Sequence, residues 1–199
     1  MDKTMTPSIT DGQIDKAVDM FRSVLRKHRS ELNSDAVQQT LGIKEVGPEL
    51  FTVFRKRVNA FSNIIVRRVT VDFSHSPQQA LKATGRRQYV DDDVVKAMPR
   101  GTAEEVEVFF FRIGRYVSDE ELGKEFELHG FEPADPYSLA AVNEADPDFA
   151  DDHPNGTHWK DSNGKWCWSA FNRWSGERRL RVDRYAYGWG DDCWFAGLR

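Results

Sequence analysis

Apolar residues recur at helical spacing through the first third of the chain and at alternate positions through much of the rest. Between residues 11 and 31, Ile14, Ala17, Val18, Phe21, Val24 and Leu25, with Leu32 beyond them, fall on one helical face. Thr10 or Asp11 can cap its start. Ser34 opens a short second helix from Asp35 to Leu41, and Gly42 is placed to end it. Gly47–Pro48 starts a third helix, with proline at the first helical position, where its missing N–H costs nothing. Leu50, Phe51, Phe54, Val58, Phe61 and Ile65 form its apolar stripe, and Arg55, Lys56 and Arg57 solvate the outer face.

The period then drops to two. Val69, Val71 and Phe73 alternate with Arg68, Thr70 and Asp72, which predicts a half-buried strand over 66–73. Ser76–Pro77 opens a short helix ended by Gly85, and Asp91, Asp92 and Asp93 head another through Met98, where the helix dipole favours acids. From Glu105 to Ile113 both alternating sets are apolar: Val106, Val108 and Phe110 against Phe109, Phe111 and Ile113. That pattern predicts a central strand covered on both sides. Ser118 and Glu121 make a capping box for a helix from Asp119 to His129, closed by Gly130. Asp135–Pro136 starts one more, carrying Tyr137, Leu139, Ala140 and Val142.

All six tryptophans and both cysteines lie after residue 158. Two turns, Asp161–Gly164 and Ser175–Glu177, divide this end into short strands, and Cys193–Arg199 is the last of them. The pattern reads as an antiparallel meander. In its middle strand, Arg178 to Tyr187, Leu180, Val182 and Ala186 point inward, flanked by Arg178 and Arg184. Arg179, Arg181, Asp183, Tyr185 and Tyr187 point outward, followed in the loop by Trp189, Asp191 and Asp192. Tyrosine and tryptophan give broad contact at small entropic cost, and Arg and Asp add directed hydrogen bonds. This outward set is the candidate ligand surface. The expected class is α+β: a helical N-terminal segment, 1–65, and an α+β domain, 66–199, ending in a Trp-rich sheet.

Composition narrows the function. At 39 % hydrophobic and 30 % charged the chain reads as globular, and a net charge of −4 argues against wholesale polyanion binding. The polar N-terminus lacks an apolar leader core, and no apolar run reaches membrane-spanning length, so a cytoplasmic location without membrane insertion is expected. Cys167 and Cys193 fall on strands read as neighbours, which leaves a bond between them open, but their spacing is not that of zinc ligands.

From Glu125 to Trp159 there are nine acids and no Lys or Arg. Asp146, Asp148, Asp151 and Asp152, with His153 and His158, offer oxygen ligands for calcium or a nitrogen pair for a catalytic metal. The EF-hand glycine and closing glutamate are absent, and a solvated acidic loop is the simpler reading. No nucleophile elbow, zinc-protease helix or phosphate loop occurs, so the chain reads as non-enzymatic. The alternatives are single-strand nucleic-acid binding through Arg173, Arg178, Arg179, Arg181 and Arg184, and hydrolysis through His153 and His158 with the nearby aspartates. The apolar N-terminal helix faces need cover, from the rest of the chain or through self-association.

Two resemblances follow. The segments LKATGRRQYVDDDVVKAMPRG, DPYSLAAVNEADPDFADDHPNGTHWKDSNGKWC and WFAGLR resemble a family of small bacterial proteins without an assigned function. The C-terminus also resembles the C-type-lectin-like variable proteins of diversity-generating retroelements, which close a Trp-rich sheet with a Gly-Phe-Arg-like strand. Gly197–Leu198–Arg199 stands at that place with Leu for Phe, and Gly164–Lys165–Trp166 is at most a remnant of the family's Arg-Gly-Gly-Ser-Trp opening. The resemblance implies a binding scaffold without chemistry, presenting Arg179, Arg181, Asp183, Tyr185, Tyr187, Trp189, Asp191 and Asp192 to a protein or carbohydrate, with no cofactor.

Overall fold

A computed structural model describes residues 8–184 and 188–199, apart from the side chain of Ala60. The chain divides into two compact units, the first ending at Val53 and the second Phe54–Arg199. The division falls inside the third helix, not after it at residue 65.

The first unit is helical. α1 (Asp11–Lys27) begins at Thr10, whose hydroxyl accepts from the Gln13 N–H while the Gln13 side chain returns to the Thr10 N–H. α2 (Ser34–Leu41) is capped by Asn33, and α3 (Val46–Phe61) opens with Pro48 in its first turn. From residue 8 to residue 53 no residue is buried.

The second unit is α+β, built on one mixed sheet of eight strands. Its strands are β1 (Ile65–Thr70), β2 (Arg87–Val90), β3 (Glu105–Arg112), β4 (Glu132–Pro133), β5 (Asn155–Lys160), β6 (Trp166–Trp174), β7 (Glu177–Asp183) and β8 (Trp194–Leu198). The order across the sheet is β1-β3-β8-β5-β6-β7-β2, with β4 beside β8. The helices are α4 (Pro77–Ala83), α5 (Asp92–Lys96), α6 (Asp119–His129), α7 (Pro136–Ala145) and α8 (Phe149–Asp152). The capping box at Ser118 and the left-handed Gly130 end α6 as its sequence predicts. No helix among the described residues is long and apolar enough to cross a membrane.

The C-terminal end is therefore not a simple antiparallel meander. β5, β6 and β7 are consecutive and antiparallel, but β8 leaves them and inserts between β3 and β5, antiparallel to the first and parallel to the second. The reason is in its composition. Phe195 and Ala196 lie on opposite faces, both fully buried, so the strand needs cover on both sides and a place at the centre. The edge beyond β7 is taken instead by β2, running parallel to it, with polar Arg87, Gln88 and Tyr89. β5 is longer than the two residues expected and begins at Asn155.

Face one of the sheet carries Val108, Phe110, Cys167, Phe171, Leu180, Val182 and Ala196, packed with Leu81, Val94, Leu139 and Phe149 from the covering helices. Face two carries Phe109, Phe111 and Phe195, packed with Leu122 and Phe126 of α6 and with Phe131. β3 has a strand on each side and apolar cover on each face, as its sequence predicts. Cys167 belongs to the first cluster and Cys193 to the second, and both thiols are free. Lying on opposite sides of the sheet, they are not the neighbours the sequence suggested.

Candidate functional site

Face two is covered over β3 and β8 and open over β6, β7 and β2. Alternation on β6 turns Cys167, Ser169 and Phe171 inward and leaves Trp168, Ala170 and Asn172 half-exposed on the other side. On β7, Leu180 and Val182 are fully buried and Arg181 is exposed, with Arg179 and Asp183 half-buried. Over 178–183 the strand presents the faces its sequence predicts, but it ends at Asp183 instead of Tyr187, and the inward Ala186 lies outside the described residues. Register sets Ala170 opposite Arg181, Trp168 opposite Asp183, and Tyr89 of β2 opposite Arg181 on the other side.

A groove of about 240 Å³ runs along the boundary between the open and covered halves. Trp168, Ala170, Asn172 and Arg181 line one side, and Trp189, Gly190 and Asp192 the other. The Arg181 guanidinium lies 5.3 Å from the centre of the Trp168 ring, a cation–π stack. No carboxylate among the described residues pairs with Arg181. The Asn172 side-chain oxygen is enclosed and finds no donor among the described residues.

The far wall is fixed by a buried network. Trp189 is 7 % exposed, which corrects the expectation of an exposed ring. Its indole N–H donates to Asp119 Oδ1 at 3.0 Å, and the same oxygen meets His158 Nδ1 at 2.9 Å. Trp189 N donates to the Val117 carbonyl at 2.8 Å and its own carbonyl accepts from Val117 N at 3.2 Å. Gly156 makes room for the ring: a Cβ there would come within 2.5 Å of it. A loop tryptophan is thus held at three points and serves as the wall of the groove.

His158 is 1 % exposed and stacks on Trp166 at 4.4 Å, and its Nε2 finds no partner among the described residues. It orients Asp119 and has no surface from which to meet a substrate. His153 stacks on Phe149 at 5.0 Å.

The acidic stretch does not gather into a metal site. Asp151 accepts from Arg178 Nε at 3.0 Å and Arg173 at 3.1 Å, with Arg86 3.9 Å away. Asp148 is also held by Arg178, Asp146 pairs with Arg67 at 3.5 Å, and Asp152 is exposed on α8. Burial pushes the Asp151 pKa up, but Arg178, then Arg173 and Arg86, outweigh it and hold it below the ordinary carboxylate value. Among the described residues no group of three or more His, Cys, Asp or Glu stands close enough to hold an ion. Asp151 is thus neutralised from within the protein, while Asp146, Asp148 and Asp152 stay open to solvent as the simpler reading expects.

The arginine cluster is largely spent in the same way. Arg173 and Arg178 bind the acidic stretch, and Arg184 pairs with Asp161 at 3.2 Å. Arg179 donates to Glu177 at 2.7 Å and lies over Tyr89, whose hydroxyl also donates to Glu177. Those bonds, against some desolvation, keep Glu177 below its ordinary pKa. Arg181 alone of the five has no acid partner among the described residues. Burial pushes both thiols up, so neither is a ready nucleophile.

Of the eight expected ligand residues, Arg181, Trp189 and Asp192 line the groove; Arg179, Asp183 and Asp191 lie about it, with the Asp191 carbonyl accepting from Arg112 Nε at 3.0 Å. Tyr185 and Tyr187 lie outside the described residues. Trp168, Asn172 and Asp119 were not singled out. Alternation along β6 signals the first two, whereas nothing local to Asp119 signals its burial. No protein-family model, curated protein or solved structure matches the chain.

Proposed function

We propose that this is a non-enzymatic recognition protein, and that the open half of face two, centred on the groove, takes a protein or carbohydrate ligand. The observation that carries the reading is the Arg181–Trp168 stack beside the enclosed Asn172 oxygen. The guanidinium offers five donors in a planar fork, and the indole offers an apolar plate. A ligand with an acceptor for Arg181 and a flat apolar side satisfies both. The rigid far wall built on Trp189 and Asp119 lowers the ordering cost of binding. The likeness of the C-terminus to retroelement-diversified variable proteins points the same way. Pairing of four of the five arginines with carboxylates weighs against a nucleic-acid groove, which needs uncompensated charge.

The test is a glycan and protein array probed with the wild type and with the double variant Arg181→Ala, Trp168→Ala. Bound features should lose at least tenfold in affinity, since one lost charged hydrogen bond and one lost stacking plate remove about 1.4 kcal/mol or more. Features bound equally by both proteins would place recognition elsewhere.

A further inference from the structure

We propose that the groove takes a peptide segment carrying one acidic and one basic side chain, the acid held by Arg181 and the base by Asp192. This rests on the groove being a ligand site, and it names the ligand. Arg181 and Asp192 stand on opposite walls, and both are exposed. Among the described residues neither has an ion-pair partner, and they do not pair with each other. Their neighbours differ. Arg173, Arg178, Arg179 and Arg184 each meet a carboxylate, and Asp148, Asp151, Asp161 and Glu177 each meet an arginine.

The other charges near the two walls leave this opposition in place. Beside Arg181, Arg179 and Arg87 share Glu177, and Asp183 accepts from the Arg184 N–H at 2.6 Å. On the far wall the exposed Asp191 adds to the negative charge, and Arg112 donates to its carbonyl. Two unmatched charges of opposite sign thus face each other across an aromatic groove.

That pair of charges selects among ligands. An ordinary sugar offers hydroxyls and a nucleic acid offers phosphates, but neither brings a cation for Asp192. Peptide side chains supply both signs: Asp or Glu for the Arg181 fork, Lys or Arg for Asp192. The groove, about 240 Å³, is smaller than the roughly 300–1,000 Å³ that encloses a whole drug-sized ligand. It suits a few side chains of a longer chain. The charges set which peptide binds and in which direction, while Trp168 and Trp189 supply the apolar contact.

An array of random-sequence peptides with blocked ends, probed with the wild-type protein, tests this. Peptides whose binding falls on Arg181→Ala, Trp168→Ala depend on the groove. Each should carry an acid and a base, and exchanging those two residues within the peptide should weaken it about tenfold or more. The charge-reversed protein, Arg181→Glu with Asp192→Lys, should prefer the exchanged peptide to the original by a similar factor. Both substitutions fall at exposed positions, and far-ultraviolet circular dichroism checks that the variant is folded. Groove-dependent peptides with charge of one sign, or none, would overturn the proposal and leave the groove as a ligand site. So would a reversed protein without preference for the exchanged peptide. Peptides that bind the alanine variant as well as the wild type would remove the groove reading itself, and this inference with it.

Discussion

Face two of the sheet divides into two halves that share strands and backbone geometry but differ in what they hold. Over β3 and β8 its residues are Phe109, Phe111 and Phe195, sealed by α6. Over β6, β7 and β2 they are Trp168, Asn172, Arg179, Arg181 and Tyr89, which stay half-buried or exposed. The same alternation of side chains that fills a core in one half lays out a polar and aromatic plate in the other. Trp189 marks the seam, with its ring in the apolar cluster and its edge on the groove. The contrast teaches that burial here is set by what crosses the sheet, not by the strands themselves.

The seam should be the costliest place to cut. Trp189→Ala removes a large buried ring and the anchor of its loop, and should destabilise the protein by about 3–5 kcal/mol in urea unfolding. Asp119→Ala leaves the Trp189 and His158 N–H groups without an acceptor, at about 2–4 kcal/mol in all. Either change should also weaken any ligand that the groove binds, by loosening its wall.

The arginines on the two sides of β7 sharpen the contrast. Arg178, on the side of Leu180 and Val182, is locked to Asp151, whereas Arg181 on the opposite side has no such partner among the described residues. Asp151→Asn should cost about 2 kcal/mol, because the buried Arg86 is left uncompensated while Arg173 and Arg178 keep access to water and Arg178 keeps Asp148. The pH dependence follows from the lowered folded pKa of Asp151. Its contribution is complete above the unfolded value of about 3.9 and fades as pH falls through the lower folded value. Unfolding titrations at neutral pH and at about pH 3 should show a smaller acid loss for Asp151→Asn than for the wild type. At the other extreme, Arg181→Ala should leave stability within about 0.5 kcal/mol.

Much of this was legible in the chain. Alternation gave the two faces of β7 over 178–183 and the doubly covered β3, and caps gave the start of α1 and both ends of α6. The seam was not legible, because it depends on residues far apart in sequence. Trp189 reads as a loop residue until Asp119 and Gly156 are brought to it across the fold. Asp151 reads as one more solvated acid until the β6–β7 hairpin delivers Arg173 and Arg178. Period two also says that β8 is a strand without saying which strands it joins, so its move to the centre followed only from the packing needs of Phe195 and Ala196 together.

The central claim is that the open half of face two is where this molecule recognises others. Selection of displayed random peptides on the wild-type protein, with each binder retested on Arg181→Ala, Trp168→Ala, puts it to trial without presuming a ligand. The account predicts that most selected peptides lose binding to the double variant, which should stay folded by far-ultraviolet circular dichroism although its melting transition drops with the Trp168 packing on Trp189. Peptides that bind the variant as well as the wild type would contradict it.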